Sequence, residues 1–136
     1  MKRSFKIALA GNPNCGKTTV FNLLTGTHQH VGNYSGVTVE RKTGICRMGD
    51  VKIEVIDLPG IYSLSSATAE ERVAFTELME GDIDLILNIV DSGNIQRNLY
   101  LTTQLAELNI PMILVFNMID EARDRGMIFN IPILER

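Results

Sequence analysis

The stretch Phe5-Lys-Ile-Ala-Leu-Ala-Gly-Asn-Pro-Asn-Cys-Gly-Lys-Thr-Thr-Val-Phe-Asn-Leu-Leu-Thr25 decides the fold of this chain. Its apolar run from Ile7 to Ala10 predicts a buried strand, and the amphipathic run from Lys17 to Leu24 predicts a helix. Between them stands the pattern G-x-x-x-x-G-K-T, from Gly11 to Thr18. The alternative is a glycine-bearing turn followed by a surface lysine. The strand before the pattern and the helix after it favour a phosphate-binding loop.

The residue types in this loop suit an anion. Gly11 and Gly16 lack a Cβ, so successive backbone N–H groups can converge on a phosphate. The helix that begins near Gly16 adds its unpaired amides and the positive end of its dipole. Lys17 is predicted to reach the β- and γ-phosphates, and the Thr18 hydroxyl to bind Mg²⁺. The predicted nucleotide contacts in the loop are Gly11, Asn12, Pro13, Asn14, Cys15, Gly16, Lys17, Thr18 and Thr19.

The composition is that of one globular domain of 136 residues, 45% hydrophobic and 21% charged. A formal net charge of −3 gives no basic excess, which argues against a nucleic-acid partner. The two cysteines are too far apart for a metal knuckle or a disulfide framework, which favours a reducing compartment. The longest apolar runs are far shorter than the roughly 20 residues that a membrane span needs. We therefore expect this chain by itself to be soluble and cytoplasmic.

Residues 27–37 show no periodicity and are predicted to form a mobile loop. His28 and His30 in this loop are better explained as solvated side chains than as metal ligands. Thr38–Cys46 and Val51–Ile56 are then predicted to form the two strands of a hairpin around a Met48-Gly-Asp turn.

The second hairpin strand leads into Asp57-Leu-Pro-Gly60. An Asp at the carboxyl end of a buried strand, beside a phosphate-loop strand, is placed to hold Mg²⁺ in NTPases of this kind. Gly60 would let the backbone approach a γ-phosphate. D-x-P-G alone is also a common turn, but its position after the phosphate loop favours the functional interpretation.

The remainder alternates between helices and strands. The predicted elements are a helix from about Glu70 to Met79 capped by Thr68 and Glu71, a strand Asp84–Val90, a helix from about Ile95 to Leu108, a strand Met112–Phe116 and a short helix to about Arg125. This order predicts an α/β fold. Its sheet is mostly parallel, with one antiparallel edge strand from the hairpin and helices on both faces.

Ligands of such sheets bind beyond the carboxyl ends of the strands. The phosphate loop, Asp57 and Asn117-Met-Ile-Asp120 all follow predicted strands, so we expect them on one rim. The Asp120 carboxylate would accept hydrogen bonds from N1–H and the 2-amino group of guanine, whereas adenine presents an acceptor at N1. A site built on such pairing rejects the wrong base strongly, so GTP is predicted over ATP.

These segments resemble a known family. Gly11–Thr18, Thr38, Asp57–Gly60 and Asn117–Asp120 resemble the first four motifs of the translation-factor-related GTPases, which have a P-loop NTPase fold of the Ras-like G-domain type. Residues 31–42, 57–64 and 97–102 more closely resemble the N-terminal G domain of the bacterial ferrous-iron transporter B family. Met118 lies where most GTPases carry lysine, and methionine is common in that family.

The resemblance implies a domain that binds GTP and GDP with Mg²⁺ and hydrolyses GTP slowly. It implies Mg²⁺ ligation by Thr18, Thr38 and Asp57, and K⁺ ligation by Asn14, for which a simple turn role is the alternative. The implied catalytic residues are Asn14, Lys17, Thr38 and Gly60. Further implied nucleotide contacts are Gly36, Val37, Val39, Glu40, Leu58, Pro59, Asn117, Met118, Ile119 and Asp120.

Ile61 stands where Ras-like proteins have a water-orienting glutamine. Another group must therefore position the attacking water. K⁺ at Asn14 would stand in for an arginine finger by neutralising transition-state charge. We therefore expect slow turnover that K⁺ stimulates.

For the full-length protein the resemblance implies a helical regulatory domain and a transmembrane Fe²⁺ channel at the cytoplasmic face of the bacterial inner membrane. Residues 1–136 would then be a G domain that lacks its last strand and helix. Association of G domains into dimers or oligomers is left open. The alternatives are a bacterial GTPase of ribosome or tRNA maturation, or a nucleotide-binding remnant without turnover.

Overall fold

The computed structural model describes residues 4–117. Along this part of the chain lie the strands β1 (Ser4–Gly11), β2 (Gln29–Asn33), β3 (Glu40–Met48), β4 (Val51–Asp57), β5 (Leu85–Asp91) and β6 (Met112–Asn117), and the helices α1 (Lys17–Thr25), α2 (Ala69–Glu80) and α3 (Ile95–Ala106). A short 3₁₀ helix, Ser92–Asn94, precedes α3. No helix in residues 4–117 is long and apolar enough to cross a membrane.

The six strands form one sheet in the order β2-β3-β4-β1-β5-β6. β1 pairs in parallel with β4 and β5, and β5 pairs in parallel with β6. β3 runs antiparallel to both of its neighbours. The α/β fold with a mostly parallel sheet is therefore confirmed. The antiparallel strand is second from the edge, because β2 pairs with its outer side.

β2 contradicts the predicted loop over residues 27–37. Gln29–Asn33 pairs with β3 in a register that sets His30 opposite Thr43 and Gly32 opposite Arg41. All five β2 residues are exposed, so the strand has no apolar alternation for the sequence to show. Its strand form instead comes from backbone pairing with β3, further along the chain. The hairpin strand also begins at Glu40, so Thr38 lies in the preceding loop.

Helices cover both faces of the sheet, as predicted. Successive residues of a strand point to opposite faces, and β1 shows this directly. Leu9 packs with Phe21 of α1 and Val55 on one face. On the other face, Ala8 and Ala10 belong to the cluster that includes Ile56, Ala74, Leu78, Leu101 and Leu105, which α2 and α3 help to supply.

The ends of α1 and α2 follow from their capping residues. Gly26 ends α1, and its N–H donates to the Asn22 carbonyl. The predicted cap of α2 is confirmed, because the Thr68 hydroxyl accepts a 3.1 Å hydrogen bond from the Glu71 N–H. The Glu71 carboxylate also binds the loop before α2, because it accepts a 2.9 Å hydrogen bond from the Ala67 N–H.

Candidate functional site

The phosphate loop borders an open groove of about 530 Å³ at the carboxyl end of β1. Its lining residues are Asn12, Pro13, Asn14, Gly16, Lys17, Thr18 and Gly60. The N-cap of α1 is Gly16, with φ 91°, and Asn14 is left-handed with φ 64°. These two left-handed residues turn the chain sharply into the helix, so the α1 N-terminus lies at the groove.

Gly11 is required by close packing rather than by an unusual φ. A Cβ at this residue would lie 2.6 Å from the Cys15 Sγ and 2.8 Å from the Ile89 carbonyl oxygen. The loop therefore folds directly onto β5 at the point where β1 ends. Burial raises the pKa of the Cys15 thiol, so this side chain is held neutral beneath the loop.

Lys17 and Asp57 form an ion pair in which the Lys17 ammonium donates to the Asp57 carboxylate. The two side chains are 11% and 4% exposed. Asp57 ends β4 opposite Leu9 of β1, and this register carries it to the phosphate loop. The structure thus brings together the lysine predicted for phosphate and the carboxylate predicted for Mg²⁺.

The segment after Asp57 is joined tightly to the phosphate loop. A Cβ at Gly60 would lie 3.0 Å from the Pro13 Cα, so the two backbones are in contact. The Ile61 N–H donates to the Gly11 carbonyl at 3.0 Å. The Ile61 side chain is 3% exposed and belongs to the core, so it does not reach the groove.

Asn117 ends β6 on the same rim, as predicted. Its side-chain Nδ2 donates to the Cys15 carbonyl at 3.0 Å, which ties the last described strand to the phosphate loop. Met118, Ile119 and Asp120 lie outside the described residues. Their proposed base contacts stay predictions from the sequence.

The structure does not bring Thr38 into the groove. Gly36, Val37 and Thr38 are exposed and none of them lines it, while Val39 is buried. The loop is closed on itself, since the Tyr34 N–H donates to the Val39 carbonyl at 2.9 Å. Burial raises the pKa of the Tyr34 phenol to about 12.

The donors at the groove fit Mg²⁺. Within residues 4–117, no group of three His, Cys, Asp or Glu side chains converges as a metal site. Mg²⁺ is usually held by one or two carboxylates together with substrate phosphates and waters. Asp57 and the Thr18 hydroxyl are a donor set of that kind.

Comparison with known proteins agrees with this geometry. Residues 5–136 match the family described as ferrous iron transport protein B. The chain belongs to this family. It is 55% identical over 130 residues to an Fe(2+) transport protein A/Fe(2+) transporter FeoB fusion protein of Porphyromonas gingivalis, and 48% identical over 136 residues to the Fe(2+) transporter FeoB of Escherichia coli K12. Those alignments cover 95% and 97% of this chain but only 15% and 18% of the relatives.

Solved structures of the family have the same fold. A variant of the S. thermophilus NFeoB bound to mGDP matches with a TM-score of 0.89 at 51% identity, covering 95% of this chain and 49% of that one. The G domain of the T. maritima FeoB iron transporter matches with a TM-score of 0.84 at 46% identity, covering 88% and 76%. The predicted G-domain fold is therefore confirmed.

One contact of the site was absent from the sequence predictions. The Asn12 side chain donates through Nδ2 to the Ile61 carbonyl at 3.2 Å, across 49 positions of sequence. Asn12 was predicted only as a member of the phosphate loop. No local pattern pairs it with Ile61, so the contact becomes visible only in the folded chain.

Proposed function

We propose that this chain binds GTP and GDP with Mg²⁺ and hydrolyses GTP slowly, as the G domain of a ferrous-iron transporter. One observation carries the proposal, namely that the phosphate loop, Asp57 and Asn117 meet on one rim with Asn117 bonded to the loop. The GDP-bound family structures support guanine-nucleotide binding. In the full-length protein, this domain would lie at the cytoplasmic face of the bacterial inner membrane, beside a helical regulatory domain and an Fe²⁺ channel.

Different groups of the site would bind the phosphates and the Mg²⁺ ion. The α1 N-terminus and Lys17 would neutralise the β- and γ-phosphates in a groove that the phosphate loop lines. Mg²⁺ would bind the Thr18 hydroxyl and, directly or through water, Asp57, and it would supply charge neutralisation on the phosphate oxygens. When a nucleotide binds, the Lys17 ammonium would leave the Asp57 carboxylate and pair with phosphate oxygens instead.

Base selection would come from the far end of the same rim. Asn117 holds the loop through Cys15, and Asp120 would accept the two donors on the guanine edge. Adenine would leave this carboxylate unpaired, and each buried partner left unpaired costs about 1–3 kcal/mol, so ATP should bind roughly 5- to 150-fold more weakly for each hydrogen bond lost.

Hydrolysis would depend on groups at the mouth of the groove. Asn14 is exposed there and is proposed to bind K⁺ beside the phosphates. Thr38 would close over Mg²⁺ when GTP binds, and Gly60 would present its N–H to the γ-phosphate. Ile61 is buried in the core and carries no polar group, so backbone or another side chain must orient the water.

Nucleotide binding is tested by titrating a fluorescent GDP analogue into the chain with Mg²⁺ and competing with GDP, GTP and ATP. We expect displacement by guanine nucleotides alone. The matched variant Asp120→Asn should shift preference toward xanthine nucleotides, because the amide donates where the carboxylate accepts. Displacement by ATP as effective as by GTP would contradict the proposal.

Turnover is tested by measuring phosphate release in potassium and in sodium salts of equal ionic strength. We expect hydrolysis to be faster in potassium for the unmodified chain and equal in both salts for Asn14→Ala. A rate in potassium that Asn14→Ala leaves unchanged would refute the ion-binding role of Asn14 while leaving nucleotide binding intact.

A further inference from the structure

Ile61 is held at both ends of its backbone by the phosphate loop. Its N–H donates to the Gly11 carbonyl at 3.0 Å, and its own carbonyl accepts from the Asn12 Nδ2 at 3.2 Å. Its side chain is also buried in the core. A residue fixed by two hydrogen bonds and by packing leaves its neighbour Gly60 little freedom to rotate.

Asn12 is an unusual choice for this position on stability grounds. The residue is 2% exposed, and no group in residues 4–117 donates to its side-chain oxygen. A buried polar atom without a partner costs about 1–3 kcal/mol, which an apolar side chain of the same size would avoid. Unlike an apolar side chain, Asn12 donates a hydrogen bond from Nδ2 to the Ile61 carbonyl.

The held segment is the one that faces the groove. Gly60 lines the groove together with Pro13, and its backbone is in contact with the Pro13 backbone. Its N–H therefore has a fixed place beside the phosphate loop as long as the Ile61 backbone stays bonded.

We infer that Asn12 is a positioning residue, which fixes the Gly60 N–H for the γ-phosphate by clamping the Ile61 carbonyl. This inference rests on the proposed nucleotide function. Asn12 would therefore strengthen binding of GTP but not of GDP, because GDP has no γ-phosphate for the Gly60 N–H to contact. Fixed donors of this kind stabilise transition-state charge without reorganisation.

Asn88 provides a matched control. Its Nδ2 donates to the Ala10 carbonyl at 3.2 Å, it is 1% exposed, and it lies on β5 outside the groove lining. Asn88→Ala thus removes a buried amide-to-carbonyl bond of equal length, together with the bond that Asn88 Oδ1 accepts from the Thr102 hydroxyl, without touching Ile61 or Gly60.

The experiment compares Asn12→Ala, Asn12→Leu and Asn88→Ala. Asn12→Leu keeps a similar side-chain volume, removes the donor and adds no charge, so it serves if the alanine variant is too unstable. For each chain we would measure hydrogen exchange of the amides of residues 58–64 without nucleotide, affinity for GDP and for a non-hydrolysable GTP analogue, and kcat and KM for GTP.

For the Asn12 variants we expect faster exchange at Gly60 and Ile61 and a ratio of triphosphate to diphosphate affinity reduced about tenfold, the size of one hydrogen bond to a charged group. GDP affinity should change by less than about twofold. Because the fixed Gly60 N–H would bind the γ-phosphate in the ground state and more strongly in the transition state, KM should rise and kcat should fall about tenfold, while GDP inhibition stays unchanged. Asn88→Ala should lower the melting temperature and leave the affinity ratio and the exchange of residues 58–64 unchanged.

Three results would overturn the inference. These are unchanged exchange at Ile61 in Asn12→Ala, an unchanged affinity ratio, or an equal shift of that ratio in Asn88→Ala. A shifted ratio in a chain without turnover would support the clamp and contradict only the proposed hydrolysis. If the unmodified chain bound no guanine nucleotide at all, both the proposed function and this role of Asn12 would be refuted.

Discussion

Two segments are held in different ways, and only one of them borders the groove. We call residues 34–40 the first segment and residues 57–64 the second segment. The second segment is bonded along its length to other elements. The Leu58 N–H donates to Leu9 at 3.1 Å, Ile61 is clamped by the phosphate loop, and the Leu64 N–H donates to the Gln104 side chain at 2.8 Å.

The first segment is bonded mainly to itself. Its backbone bonds run from Tyr34 to Val39 at 2.9 Å and from Val37 to Tyr34 at 3.3 Å. Thr38 is exposed, and the neighbouring Arg41 pairs with Glu77 across 3.1 Å. Segments with few buried contacts open at low free-energy cost. From this contrast we predict that the first segment opens more readily than the second, which serves as a fixed wall of the groove.

The largest effect should come from the ion pair that anchors the second segment. Lys17→Met leaves the Asp57 carboxylate buried without its partner, and breaking a buried pair in this way costs about 3 kcal/mol. Lys42→Met is the matched control, because Lys42 pairs with the more exposed Glu40 at 3.8 Å and should cost less than about 1 kcal/mol. Urea unfolding of both variants measures the difference. Equal losses would show that the two segments are anchored alike.

The next largest loss of stability should come from Glu71 of α2, which binds the residues at and just after the end of the second segment. The Glu71 carboxylate accepts from the Ser65 hydroxyl at 2.7 Å and the Ser63 hydroxyl at 3.1 Å. These bonds, the Ser65 bond foremost, lower its pKa below the ordinary value of 4.5. We expect Glu71→Gln to destabilise the fold by about 1.5 kcal/mol at about pH 7, since charged-group hydrogen bonds are lost.

The sign of the pH dependence follows from the lowered pKa of Glu71. Its stabilisation is present above the unfolded value and disappears as pH falls through the folded pKa, where both states are protonated. The stability difference between the unmodified chain and Glu71→Gln should therefore shrink in acid. Thermal unfolding across this range measures it, with the exposed neighbour Glu70→Gln as control. A difference that is constant with pH would rule out the charged carboxylate as the cause.

Glycines in the two segments should respond differently to a methyl group. Gly60→Ala places a Cβ 3.0 Å from the Pro13 backbone, and overpacking of this kind costs about 1–3 kcal/mol. Gly36→Ala meets nothing within 4 Å and costs only the strain of its left-handed φ of 78°, about 1 kcal/mol. Gly60→Ala should also weaken binding of a GTP analogue more than binding of GDP. A larger stability loss for Gly36→Ala would show that the second segment is not more closely packed than the first.

The rim of the site could be predicted from the sequence, because local signals determine it. Gly11, Asp57 and Asn117 each follow an apolar run that forms a parallel strand, and parallel strands bring their carboxyl ends to one edge. The cap at Thr68 was equally local. These predictions needed only the order of elements and the residue that follows each one.

Contacts between distant residues could not be predicted in the same way. β2 has five exposed residues, and its strand form depends on pairing with β3 rather than on any pattern of its own. The Asn12 bond to Ile61 likewise depends on where β1 and β4 end relative to each other. The predicted Thr38 contact to Mg²⁺ stays a prediction, since the first segment lies away from the groove lining.

The smallest effect on stability offers the sharpest test of the contrast. Arg41 lies 5.8 Å from the Tyr34 ring centroid and pairs with Glu77, but its side chain is 36% exposed. Arg41→Met should therefore cost less than about 1 kcal/mol of global stability. It should nevertheless release the first segment, because few other contacts hold it. We expect chymotrypsin to cleave after Tyr34 several times faster in the variant.

The second segment contains a matched pair for this experiment. Arg97 lies 5.3 Å from the ring centroid of Tyr62, which is 47% exposed and is also a chymotrypsin site. Arg97→Met should leave cleavage after Tyr62 unchanged, because Ile61 and Leu64 hold the backbone on either side. Proteolysis follows local opening rather than side-chain exposure when the backbone must unfold to be cut. Equal acceleration at Tyr34 and Tyr62 would mean that the two segments open with similar ease, and that the groove has no fixed wall.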